Sequence, residues 1–119
     1  MEIQEQIFAY VIWKEAGKHL KSDTELLINS PLKLGKAYGQ LLSFLCEVAY
    51  AMEQASAKDL RKVDVRMLAI EEDGGETFVL WKHKGENRLM RIPFVRIKRQ
   101  IQVKMEDMID SLHKRTEKT

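Results

Sequence analysis

The sequence is poor in cysteine, proline and long apolar runs. Its one cysteine, Cys46, excludes an intrachain disulfide framework and a multi-cysteine metal site. The longest near-continuous apolar stretch, Leu41 to Met52, is interrupted by Glu47. That is too short to span a bilayer, which takes about 20 apolar residues in a helix. Met1 to Gln6 carries two glutamates and no basic run, unlike a signal or transit peptide. These absences predict a cytosolic protein of a reducing compartment, with no membrane association. The glycine-rich phosphate fingerprints G-x-G-x-x-G and G-x-x-x-x-G-K-[ST] are also missing, and Gly74-Gly75 alone is too small to replace them.

What is present suits one globular domain. The 119 residues are 45% hydrophobic and 32% charged, enough apolar side chain for one core without covalent staples. There is no internal repeat, low-complexity segment or linker.

Hydrophobic spacing divides the chain into helices and strands. Ile3, Ile7, Phe8, Val11 and Ile12 form a helical stripe, which Trp13, Ala16 and Leu20 widen. They predict a helix over about 2–20, weakened near its end by Gly17. Ser22 to Glu25 fits a capping box and predicts a short helix over 23–29. Ser30-Pro31 then reads as N-cap and first helical residue of a long helix over 31–57. Its wide face of Leu34, Tyr38, Leu41, Leu42, Leu45, Val48, Ala49 and Met52 marks it as the central helix. Gly35 and Gly39, four apart, either admit a second helix closely or are simply tolerated.

From Val65 the period becomes two. Strands are expected over about 64–72, 77–83 and 89–92, separated by turns at Asp73-Gly74-Gly75-Glu76 and Gly85-Glu86-Asn87-Arg88. Pro93 cannot donate a ladder hydrogen bond, so the third strand is an edge or stops there. Phe94, Ile97, Ile101, Met105, Met108 and Leu112 predict a final helix over 94–114, followed by a frayed polar end from Arg115. The fold class is therefore α+β, an antiparallel three-stranded meander packed against helices.

No catalytic constellation stands above its structural alternative. His19, His83 and His113 are too far apart for a local metal motif, and no metal or cofactor is expected. Ser30 and Lys33 match S-x-x-K, but the companion S-D-N and K-T-G elements are missing. Cys46 lies among Leu42, Leu45 and Ala49, a setting for a structural thiol rather than a reactive one. Glu71, Glu72, Asp73 and Glu76 read as a solvated acidic turn. The chain is thus expected not to be an enzyme.

Charge supplies the one outward pointer. Residues 1–81 hold 9 basic and 13 acidic side chains, residues 82–104 hold 8 and 1, and residues 105–119 hold 3 and 4. Lys82, Lys84, Arg88, Arg91, Arg96, Lys98 and Arg99 are the candidate contact residues, with Trp81 and Phe94 beside them for stacking. Cations in a helix's first turn oppose its dipole, a placement that a bound anion would offset. The expected function is a small non-enzymatic interaction protein working through this basic hairpin and helix start on an acidic protein. The alternative is a nucleic-acid module whose same residues track phosphates. A hairpin after three helices resembles a winged helix, but Leu41, Leu42, Phe44, Leu45 and Val48 make the preceding helix a poor groove reader. The aromatic pattern of an RNA-recognition domain is absent. The helices offer more apolar stripe than three strands can cover, so a homodimer through the first helix or helix 31–57 is expected.

Overall fold

The computed structural model describes residues 2–31 and 34–117, with side chains as far as Ser111. Lys33 and the side chains of Leu112, His113 and the polar end, each invoked above, lie outside the described residues. The order is α1 (Ile3–Ile28), α2 (Gly35–Lys62), β1 (Val65–Asp73), β2 (Glu76–His83), β3 (Glu86–Pro93) and α3 (Phe94–Glu117). The fold is α+β, with an antiparallel sheet in the order β1-β2-β3.

The helical half differs from expectation in three ways. First, α1 is one helix of 26 residues rather than two. No proline or glycine lies between Lys18 and Ile28, so nothing forces a break. Ser22 and Asp23 stay exposed, and the Thr24 hydroxyl donates to the Leu20 carbonyl at 2.6 Å instead of serving a cap. Second, α2 starts at Gly35, not Pro31, and runs on to Lys62, where Leu60 joins the core. Ser30 and Pro31 instead belong to the reversal that turns α2 back antiparallel to α1. Third, α1 is the central helix. Ile7, Val11, Ile12, Ala16 and Leu20 are all at most 1% exposed, because α1 lies between α2 and the sheet.

The two glycines of α2 do admit a close approach. A Cβ on Gly35 would stand 2.6 Å from the Leu27 carbonyl oxygen, and one on Gly39 would stand 2.5 Å from Ile28 Cγ1. Only part of the broad apolar face of α2 is used. Leu45 and Ala49 pack on Trp13, Leu20 and Met108, while Leu34, Tyr38, Leu41, Phe44 and Met52 remain exposed. Three long helices with a small sheet give an extended body of 53 × 36 × 19 Å.

The sheet follows its turns. Gly74-Gly75 and Lys84-Gly85 all have positive φ, as two-residue hairpin turns of the type that matches strand twist require. The second turn is therefore one residue earlier and tighter than expected, and Glu86 to Arg88 belong to β3. β3 is an edge strand ending at Pro93, and the Phe94 N–H donates to the Gly75 carbonyl at 2.9 Å, tying the start of α3 to the β1–β2 turn. Val65, Val79, Trp81, Ile92, Ile97 and Ile101 close the core over α1.

Candidate interaction site

Strand parity sorts the candidate residues. On β2, Thr77, Val79 and Trp81 face the helices, whereas Phe78, Leu80 and Lys82 face away. Trp81 is 3% exposed and sits in the core, so it offers no ring for stacking. That part of the expectation is corrected: the indole is needed where the sheet meets α1. Phe94 is half-buried, lining a recess with Glu15, His19 and Glu72.

The seven cations do not form one continuous patch. Lys82, Lys84 and Arg88 lie around the β2–β3 turn, while Arg96, Lys98 and Arg99 lie at the other end of β3, roughly 25 Å away for a strand of this length. Arg91 pairs with Glu76 at 2.8 Å and Arg88 with Glu86 at 2.8 Å. The Arg96 guanidinium stands over the Phe8 ring, 4.4 Å from its centroid. Lys82, Lys84, Lys98 and Arg99 are exposed and make no ion pair among the described residues. Because Phe94 is bonded to Gly75, the α3 cations start beside the acidic turn of Asp73 and Glu76, where opposite charges share one end of the fold.

The other end becomes more basic than the sequence suggested. α2 finishes with Arg61 and Lys62, and the chain turns at Val63-Asp64 directly into β1. β1 begins opposite the end of β2, with Val65 paired to His83 and Arg66 to Lys82. Arg61, Lys62 and Arg66 therefore join Lys82 and Lys84 at this end, while Arg88, opposite Trp81 on the other face of the sheet, is paired with Glu86. The Arg66–Lys82 pair is unfavourable in isolation, since like charges directly opposite across two strands repel. Beside it lies a cleft of about 450 Å³ lined by Tyr10, Leu60, Arg61, Asp64 and Arg66 among others. Burial, and secondarily the Glu53 charge, pushes the Tyr10 phenol above its ordinary pKa.

The outer face of the sheet reads as four rows from the register. Arg66, Lys82 and Asn87 make the first, and Ala69, Leu80 and Leu89 the second. Glu71, Phe78 and Arg91 make the third, and Asp73, Glu76 and Pro93 the fourth. A bulge at Leu68 keeps β1 in step. The face is basic at one end and acidic at the other; between them Ala69, Phe78, Leu80 and Leu89, which neither hydrophobic cluster of the core includes, share the two middle rows with Glu71 and Arg91.

The remaining candidates separate in space. His19 is exposed beside α3 and His83 lies at the basic end of the sheet. The Cys46 thiol is half-buried, 3.7 Å from the Gly17 carbonyl, at the α1–α2 contact. Glu71, Glu72 and Asp73 are exposed along the end of β1. Among the described residues, no helix is long and apolar enough to cross a membrane.

Over residues 2–113 the chain matches the family described as YhjD protein, and it belongs to that family. No curated protein and no solved structure matches it.

Proposed function

We propose that this member of the YhjD family is a small, non-enzymatic, homodimeric interaction protein of the cytosol, whose contact surface is the basic end of the sheet. Its partner is an acidic protein. The observation that carries this reading is the cross-strand pair Arg66–Lys82, at the same end of the fold as Arg61, Lys62 and Lys84. A repelling pair on an exposed strand face costs stability, and an acidic side chain placed between the two cations relieves it. Arg96, Lys98 and Arg99 form a secondary contact at the start of α3, already partly balanced by the neighbouring acidic turn.

An acidic protein is favoured over nucleic acid because Trp81 is buried. Without that ring the patch lacks its main base-stacking platform. Self-association through α1 is disfavoured by its burial between α2 and the sheet. The exposed stripe of α2 and the outer sheet face remain available for it. A single free thiol, Cys46, suits a reducing cytosol.

Fluorescence anisotropy with labelled oligoglutamate and labelled single-stranded RNA, at low and physiological salt, tests the reading. The expected result is salt-sensitive peptide binding that is weakened together by Arg66→Ala, Lys82→Ala and Lys84→Ala. Tighter binding of RNA under the same conditions would favour the nucleic-acid module instead. No binding of either ligand at low salt would refute the proposed site.

A further inference from the structure

The acidic partner of the basic row is matched by a surface on the chain itself. We infer that the outer face of the sheet is a two-fold interface between two copies of this protein, with Arg66 and Lys82 of one copy meeting Asp73 and Glu76 of the other. This rests on the reading that the basic end receives acidic groups, and it names which groups those are.

Symmetry and charge select the geometry. Consider a two-fold axis lying in the interface and running across the strands. It reverses each strand and lays the first row of one copy over the fourth row of the other. Arg66 then faces Asp73 and Lys82 faces Glu76, twice over. The same operation lays the second row over the third, and on the edge strand β1 it sets Ala69 against Glu71, whose carboxylate must reach solvent past the edge. Leu80 meets Phe78, and Leu89, 63% exposed in the single chain, meets the aliphatic stem of Arg91. The Arg91–Glu76 ion pair holds that stem across the face. An axis running along the strands instead sets Lys82 on Lys82 and Glu76 on Glu76, which repel. Only one of the two face-to-face arrangements is therefore complementary. The usual rotation of about 30° between aligned sheets moves the end rows sideways by about one strand spacing, which leaves the basic row over the acidic row while shifting which cation meets which carboxylate.

The face measures about 14 by 25 Å from strand spacing and rise. That is about 350 Å² on each copy, below what a stable dimer usually buries, so the association expected is weak, in the range of hundreds of micromolar, and salt-sensitive.

Sedimentation equilibrium of the full chain, from micromolar to submillimolar concentration, tests the inference with two charge-reversed variants. One is Arg66→Glu with Lys82→Glu, and the other is Asp73→Lys with Glu76→Lys. All four positions lie on one exposed or half-exposed face, and circular dichroism confirms folding of each variant. The wild type is expected to dimerise. Each variant alone should associate about 100-fold more weakly, and an equimolar mixture of the two should regain the dimer, because every facing pair is again opposite in sign. A wild type that stays monomeric yet binds oligoglutamate overturns this inference and leaves the proposed acidic-partner site standing. A chain that neither self-associates nor binds the peptide overturns both. A dimer that survives both reversals but is lost in Leu41→Glu with Phe44→Glu places the interface on α2 and overturns the sheet assignment.

Discussion

Two buried threonines make opposite demands of the same substitution. Thr77, on the inner face of β2 opposite Ile92, is 1% exposed, and its hydroxyl has no hydrogen-bond partner among the described residues. Thr24, 9% exposed in α1, donates its hydroxyl to the Leu20 carbonyl. Valine keeps the branched shape and exchanges hydroxyl for methyl. At Thr77 the exchange removes an unsatisfied polar group whose burial costs about 1–3 kcal/mol, and it adds apolar area in a strand that accepts valine equally well. Thr77→Val is expected to stabilise the fold by about 1–2 kcal/mol. At Thr24 the exchange loses a hydrogen bond worth about 1 kcal/mol, so Thr24→Val is expected to destabilise by about 0.5–1.5 kcal/mol. The cost stops there because the Leu20 carbonyl keeps its helical bond. Urea unfolding followed by circular dichroism reads both, with the midpoint moving in opposite directions and the slope unchanged. Each kcal/mol corresponds to a shift in Tm of about 4 °C for a chain of this length. A Thr77→Val protein less stable than wild type would refute the account of that site, and the same sign at both positions would refute the contrast.

Glycine positions supply a second contrast. Gly35→Ala should destabilise by about 1–3 kcal/mol, because the new methyl meets the Leu27 carbonyl, whereas Gly17→Ala, with nothing within 4 Å, should stabilise by about 0.5–1 kcal/mol. Thermal melts of the two variants check the pair. The raised Tyr10 phenol predicts an alkaline effect. The unfolded chain releases this proton first, so stability holds below the ordinary phenol pKa and falls as pH rises from there toward the folded value. Tyr10→Phe should remove that component of the decline in urea midpoints measured across the alkaline range. Lys84 occupies a left-handed turn position at φ 51° that asparagine adopts more readily. Lys84→Asn should stabilise the hairpin by about 0.5 kcal/mol and weaken oligoglutamate binding, and a variant that binds the peptide as well as wild type would remove Lys84 from the site.

Much of the fold was legible because its signals are local. Gly74-Gly75 and Gly85 mark the hairpins, alternation from Val65 marks the strands, and Ile97, Ile101, Met105 and Met108 mark the buried stripe of α3. The helical layer was less legible because its outcome depends on partners. The capping box at Ser22 is genuine cap chemistry, yet with no proline or glycine from Lys18 to Ile28 it merely decorates the exposed side of a continuous helix. The broad apolar face of α2 suggested a central helix, but width measures what a helix can bury and not what its neighbours cover. The burial of Trp81, by contrast, was available from parity alone. It shares a strand face with Val79, and no exposed role was open to it once Val79 was in the core.

The site was harder to read for a reason rooted in topology. Counting charge along the chain separates Arg61, Lys62 and Arg66 from Lys82, Lys84 and Arg88 by the length of a hairpin. Antiparallel pairing returns the end of β2 to the start of β1 and removes that separation. The same pairing carries Asp73 and Glu76 to the far end of the sheet. A run of cations that looks like one patch in sequence is thereby divided, and a chain of nearly balanced charge acquires a sheet with opposite ends. It is the register that converts sequence distance into rows, and the proposed contact rests on it. The chemistry of recognition then lies in which rows a second molecule can oppose.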